Sequence, residues 1–460
     1  MVDGNSDSRV GGLNMKLDKK LYTAFFALAI PLVLQRLVNS VFSSIDVWMV
    51  SQRGAEAMSG ISIGGQWLWI LNRILAGVSA GGLLFITQYS GMGKDSAILT
   101  VFKKMLKIMT VSAVVFTAVA MLFPDFVIGL FAANESVMAT AKEYLVISSL
   151  SFVLLAAANA CTTLLIARGK GKAAMLSVTV NAVTHFVMNW LFIFKMGMPV
   201  GVGAAWAAVA SAFIGLVVAL PFVLKEIKGF DCISENAVIN SKKFYKIAIA
   251  LIAHETIWGV GIFTYNAIFT HVDATGYSAV VIWRTINDFF FAVIAGFSSA
   301  GGIYMGNYVG EGIYQKAKDW AKKIQIIDTL SSAVLGIILF AFAPQIVNVF
   351  NLTSGMEQNV IEIAVLIVRI FAAEIILKSI AHTFVESIFR AGGNPEMGLI
   401  LDTVATWVVV VPLCAVAAFV LKTGFLPVFI IMVFGEDIVK ILISSVYFRT
   451  GKWYRSVDKK

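Results

Sequence analysis

An all-α integral membrane protein of twelve transmembrane helices, built as two six-helix bundles related by internal duplication, is the fold class this sequence predicts. Three observations predict it. Of its 460 residues 59% are hydrophobic and only 14% charged, with mean hydropathy +0.85. A soluble protein carries about a quarter of its residues as Asp, Glu, Lys or Arg, so the missing charge points to a bilayer as solvent. The apolar runs are long and unbroken, as helices crossing ~30 Å require, and lack the alternation of a transmembrane barrel. Finally, the second half of the chain repeats spaced residues of the first.

Residues 1–20 form a polar N-terminal segment ending Lys16-Leu17-Asp18-Lys19-Lys20. It has no cleavage pattern, and the apolar run after it is too long for a signal peptide core, so it reads as a retained first span. Spans are predicted near 21–50, 55–90, 100–131, 136–168, 172–196 and 203–226, forming an N-terminal bundle over 21–226. The polar linker 227–242 follows, within the one long polar connector from Lys225 to Lys243. The C-terminal bundle, 243–449, comprises spans near 243–270, 275–308, 316–350, 356–391, 396–421 and 424–449, and residues 450–460 form a tail.

Lys and Arg set orientation, because positively charged loops resist translocation. Twenty-six of them fall on the side that holds both termini; only Arg53, Lys142, Lys195 and Lys422 fall opposite. Both termini are therefore expected in the cytoplasm, and the protein in the cell (inner or plasma) membrane. The net charge of +9 lies in clusters between apolar runs, without the basic face of a nucleic-acid binder. Cys161 and Cys414 fall in apolar runs and Cys232 in a basic loop, which gives no disulfide framework or metal-ligand spacing.

Ala76-Gly77, Ser79, Gly82, Tyr89, Gly91 and Gly93 recur as Ala295-Gly296, Ser298, Gly301, Tyr308, Gly310 and Gly312, at a constant offset of 219. A weaker echo pairs Arg168, Gly171 and Met175 with Arg390, Gly393 and Met397. An even number of spans per repeat gives the halves parallel topology, an arrangement that encloses a cavity at their interface and can rock about it. Glycines that only allow close helix packing would not need to repeat in register.

Several segments resemble the multidrug and toxic compound extrusion (MATE) transporters over Leu21 to Trp453. They are Pro31-Leu32 through Gln35, with Asp46, Met49 and Gly54; Gly82 through Gln88-Tyr89-Ser90-Gly91; and Asn189 to Phe194 followed by Gly201-Val202-Gly203-Ala204-Ala205. Arg390-Ala391-Gly392-Gly393-Asn394, Trp407, Pro412 and Gly451-Lys452-Trp453 complete the set. The resemblance implies export of small amphipathic or cationic compounds in exchange for Na⁺ or H⁺, by a chain functional as a monomer and needing no other cofactor. His254-Glu255 with Trp258 looks like the NorM-like branch. The acid that the DinF-like branch carries aligns with Asn189, and a NorM-like acid aligns with Asn394, so neither is present here.

A carboxylate within a span costs ~2.5–3.5 kcal/mol on insertion scales and therefore faces a cavity or a partner. Gln35, Asn39 and Asp46 form one helical stripe, where Asp46 either holds a hard cation or a proton or caps polar groups at the interface. Glu255, beside His254, is the other leading coupling-ion candidate, or else the partner of an Arg such as Arg36 or Arg73. Asp402 is a substitute for the acid missing at Asn394. Gln35, Asn39, Asn189, His254, Trp258 and Tyr265 are the predicted substrate-cavity residues, the aromatics able to stack on a flat cation. Arg284 and Asp288, at i, i+4, are expected to pair. No other metal site is predicted.

The main rival is a lipid-linked oligosaccharide flippase of related fold, which would favour a basic cavity. The intramembrane acids balance the bases here. A membrane-embedded enzyme lacks its motifs: no His-Glu-x-x-His and no Ser-centred glycine motif occurs.

Overall fold

The structure is a computed structural model that describes residues 6–131, 135–230, 239–354 and 357–458. Cys232 and half of the predicted linker, 231–238, lie outside the described residues, as do Lys459 and Lys460. Twelve helical spans follow one another. The first half contains α1 (Ser6–Ser51), α2 (Ala55–Gly91), α3 (Asp95–Leu122), the bent α4 (Glu135–Ser148 and Ser151–Ala167), α5 (Gly171–Asn189, widening into a π-helix over Trp190–Lys195) and α6 (Val200–Lys228). The second contains α7 (Ser241–Val272), α8 (Ala274–Gly310), α9 (Tyr314–Ser354), α10 (Gln358–His382, then π-helical over Thr383–Arg390), α11 (Glu396–Asp402, continuing in α and π turns to Val420) and α12 (Phe425–Arg449).

The predicted fourth span is a pair of helices bent by 51°. Its serines account for the bend: the Ser149 and Ser151 hydroxyls donate to the carbonyls of Val146 and Ser148, at 2.7 and 2.6 Å. Such back-bonding competes with the helical ladder. Among the described residues nine helices are individually long and apolar enough to cross a membrane, and the bent pair makes ten. The remaining two, α10 and α12, carry Glu374 and Lys378, and Glu436, Asp437 and Lys440. These charges pair inside the second half, Lys378 to Glu374 at 3.1 Å and Lys440 to Glu436 at 2.6 Å, so the two helices hide polarity that a hydropathy average counts against them.

The repeated glycines explain how the halves meet. A side chain at Gly77 would strike the Ile252 backbone of α7, its Cβ 2.6 Å from Cα; one at Gly296 would strike the Val33 backbone of α1, 2.8 Å from Cα. At the helix ends, a side chain at Gly91 would meet the Asn307 carbonyl, and one at Gly310 the Gln88 carbonyl. Partners as well as glycines stand 219 residues apart, so the duplication is realised as a pseudo-two-fold axis between α2 and α8. Gly93 and Gly312, with φ of +67° and +77°, end these helices in left-handed turns that only glycine adopts freely.

The C-terminal tail crosses this seam. Buried Gln88 donates to the carbonyls of Ala391 (3.1 Å) and Arg455 (3.3 Å) and accepts from the Val457 amide (2.8 Å). Arg455 N–H donates to the Gly392 carbonyl, and Lys94 pairs with Asp458 at 2.5 Å. Trp453 anchors the tail: it is fully buried, stacks on Phe448 and donates its indole N–H to the Phe448 carbonyl at 3.1 Å. Trp453→Ala is expected to cost about 3–5 kcal/mol as a buried aromatic truncation, read as a lowered melting temperature of the purified protein.

Candidate functional site

The predicted coupling-ion residues fall in two groups, one within the first half and one that joins the second half to Arg73 of the first. In the first, Asp46 near the end of α1 meets α5. Its Oδ1 accepts from Asn189 Nδ2–H at 2.7 Å, and its Oδ2 lies 2.5 Å from His185 Nδ1. Helical spacing puts His185 and Asn189 on one face of α5, and Asn189 sits where that helix widens into its π segment, a distortion frequent at functional sites. The Asp46 and His185 side chains keep about a quarter of their surface exposed, while Asn189 is buried with its Oδ1 unpartnered. Among the described residues no Lys or Arg pairs with Asp46. The pair is thus a carboxylate and an imidazole in contact within a partly accessible site, uncompensated by lysine or arginine.

The second group is a chain of ion pairs centred on Arg390. Glu255 on α7 lies 3.4 Å from Arg73 of α2 and 3.5 Å from Arg390, and Arg390 also pairs with Glu386 one turn earlier. The Arg73–Glu255 pair spans the seam between the halves. Arg390 Nη2 also lies 3.2 Å from His254 Nδ1. A guanidinium only donates, so Nδ1 accepts and Nε2 carries the hydrogen; Nε2 lies 2.7 Å from Asp402 Oδ2, close enough for an ion contact but without hydrogen-bond alignment. Lys440 of α12 pairs with the other Asp402 oxygen at 2.7 Å and with Glu436, which accepts from Tyr265 at 3.4 Å. Arginine and lysine thus already compensate Glu255 and Asp402.

The other predicted residues divide. Gln35 is half-buried with an unpartnered Oε1, and Asn39 is exposed, on the same helix as Asp46. Trp258 is 40% exposed, but the nearest cation to its ring is Arg73, 5.7 Å away and also stacked near Trp69; the predicted stacking face is engaged by the protein's own arginine. Tyr265 is almost wholly buried. Its ring is buried in the apolar core of the second half beside Phe269 and Trp283, because only its hydroxyl has a polar partner. Nor do Arg284 and Asp288 close into an ion pair: Arg284 reaches across to Asn266 Oδ1 at 2.6 Å, while Asp288 accepts from Asn287. The neutral amide on the neighbouring helix lies better placed for the guanidinium than the acid one turn away. Asn394 donates to the Tyr447 hydroxyl, a packing contact at the end of α12.

Sequence reasoning passed over His185, Asp328, Glu436, Asp437 and Lys440. Each interrupts an apolar run, which is the signal that could have marked it. A crevice of about 790 Å³ opens beside α1, α5, α6 and α8, floored by Leu28, Phe222 and Tyr304 and edged by Arg168, Lys170 and Lys172. Arg168 is held by Glu226 at 2.7 Å and Asp95 at 3.6 Å.

The sequence model of the MatE family matches this chain twice, over residues 31–191 and 256–416, which is the duplication seen in the glycine register. A probable multidrug resistance protein NorM of Thermotoga maritima is 23% identical over 437 residues, 93% of this chain and 92% of that protein. Another probable NorM, from Halalkalibacterium halodurans, is 20% identical over 84% of this chain and 85% of its own length. Among solved structures, the outward-facing conformation of a multidrug resistance MATE family transporter superposes with a TM-score of 0.85 at 18% identity, covering 93% of this chain and 96% of that one. Two matched repeats spanning most of the chain, on a fold shared with solved MATE transporters, place it in the MatE family, among the NorM-like multidrug and toxin extrusion transporters.

Proposed function

We propose that this chain exports small amphipathic or cationic compounds in exchange for protons, with Asp46 and His185 as the coupling pair. The carrying observation is that each Asp46 oxygen faces a side-chain nitrogen, at 2.7 Å for Asn189 and 2.5 Å for His185. A Na⁺ ion needs free oxygen lone pairs, whereas a proton needs only the nitrogen and carboxylate already in contact. Without the proton the pair carries one negative charge and attracts a cationic substrate; with it the pair is neutral and releases the substrate. Proton and substrate then compete for one charge as the halves rock, exposing the site to opposite sides in turn.

In this reading both termini are cytoplasmic, the protein lies in the cell membrane, and one chain suffices. Gln35 and Asn39 line the route to Asp46. Glu255, held by arginines from both halves, keeps the halves together in the present conformation. One experiment tests the coupling: ethidium efflux from proteoliposomes under a pH gradient alone and under a Na⁺ gradient alone. Efflux is expected with the first and not the second, and the reverse would overturn the proton assignment. The basic edge of the 790 Å³ crevice favours a flippase for anionic head groups as the second reading, under which neither gradient moves the dye.

A further inference from the structure

Six polar side chains with no exposed surface converge in the second half: Asp328 and Ser332 of α9, Ser298 of α8, and Ser379, Thr383 and Ser387 of α10. Their spacing makes this a built arrangement. Asp328 and Ser332 stand four apart on α9, and Ser379, Thr383 and Ser387 form a stripe at intervals of four on α10, so each set shares a helix face. Thr383 Oγ1 donates to Asp328 Oδ2 at 2.5 Å and lies 3.5 Å from Ser298 Oγ, which is 3.1 Å from Ser387 Oγ. Ser332 and Ser379 hydroxyls touch at 2.8 Å. Asp328 Oδ1 is buried without any partner. No Lys, Arg or His lies within ion-pair distance of Asp328 among the described residues, so its charge lacks the compensation that Glu255 and Asp402 enjoy.

The duplication shows that the fold does not demand this acid. In the register that matches Gly82 on Met105 with Gly301 on Ile324, the first-half equivalent of Asp328 is Met109, fully buried in apolar core. The same helix position is therefore satisfied by a thioether in one half and filled in the other by a carboxylate that one hydroxyl, Thr383, contacts. An isolated buried carboxylate is costly unless a cation or proton neutralises it. A proton would need one acceptor; here the Asp328–Thr383 contact continues into a chain of hydroxyl oxygens, Ser298 of α8 and Ser387 of α10, next to a π segment in α10 of the kind that marks functional sites.

We propose that Asp328, with the hydroxyls of Ser298, Thr383 and Ser387, forms a binding site for one Na⁺ ion. An all-oxygen set suits a hard cation, and a single carboxylate balances a single positive charge, whereas a divalent ion would leave a net charge inside the membrane. Hydroxyls rotate freely enough to turn a lone pair inward when the ion enters. The site is enclosed by α8, α9 and α10 of one half and does not lie at the seam, so rocking of the halves leaves it intact. It holds a resident ion, separate from the proton site at Asp46.

Equilibrium binding of ²²Na⁺ to the purified full-length protein, paired with melting curves in NaCl, KCl and choline chloride at equal ionic strength, tests this without any transport. Wild type is expected to bind ²²Na⁺ saturably and to melt higher with rising Na⁺, as ligand binding to the native state requires, but not with K⁺ or choline. Asp328→Asn is expected to abolish both effects, Thr383→Val to weaken Na⁺ affinity on the order of tenfold or more, and Asp46→Asn to leave binding unchanged. Should Asp328→Asn fail to fold, Thr383→Val and Ser298→Ala decide. Absence of saturable binding to wild type, or binding that survives in Asp328→Asn or in both hydroxyl variants, would overturn the site. Because the readout is binding, failure of the proton-exchange reading at Asp46 leaves this result distinguishable.

Discussion

Asp46→Asn is expected to abolish efflux driven by a pH gradient while leaving the protein folded. The substitution keeps the shape of the side chain but removes its charge and one acceptor oxygen. The site loses the negative charge that a cationic substrate senses, and the proton has no carboxylate to share with His185. Cation binding should weaken on the order of tenfold, about 1.4 kcal/mol. His185→Ala should retain substrate binding but displace the pH profile of efflux, because the charge stays while its proton partner goes. Equal proton-driven efflux by Asp46→Asn and wild type would remove Asp46 from the mechanism. Asp46→Glu provides the complementary control, since it keeps the charge and alters only its reach.

The second large effect concerns the seam. Gly310→Ala and Gly91→Ala are expected to give matching losses of stability, because each places a methyl group against a backbone carbonyl of the opposite half, Gln88 and Asn307 respectively. A backbone atom cannot rotate away as a side chain can, so α2 and α8 must separate. Overpacking of this kind costs about 1–3 kcal/mol. The separation also lifts Gln88 from the Ala391 carbonyl and from the two tail groups it holds, Arg455 and Val457. Melting temperature and drug efflux measure the two consequences, and both should fall in step for the two variants. A variant tolerated at either position would show that the helices need not approach so closely. Gly65, with nothing within 4 Å of its would-be Cβ, is the control: Gly65→Ala should be mild.

Much of the fold was legible because its causes are local or periodic. Apolar run length set the spans, and the glycine register set the duplication, since a backbone approach that recurs must recur at the same spacing. The bend in α4 was not read from the sequence, which predicts one span there; the back-bonds of Ser149 and Ser151 show it only in the structure. The site was legible only as a roster of charges. Asp46, Glu255 and Asp402 stood out because each interrupts a span. What each one touches depends on helices distant in the chain: His185 lies well over a hundred residues from Asp46, and Arg390 a comparable distance from Glu255. Arg284 and Asp288 show the limit of spacing, since i, i+4 makes a pair possible while Asn266 on the next helix takes the guanidinium.

By itself the sequence determined the solvent, the number of spans, the two-fold repeat and the identity of the costly charges, because these follow from the free energy of moving each residue into a bilayer and from periodicity along one helix. Tertiary structure alone decided which charges are neutralised. Glu255 and Asp402 are compensated by Arg73, Arg390 and Lys440; Asp46 shares its oxygens with His185 and Asn189; Asp328 is left among hydroxyls. The physical reason is that electrostatic compensation depends on distances of a few ångströms between helices, and packing sets those distances.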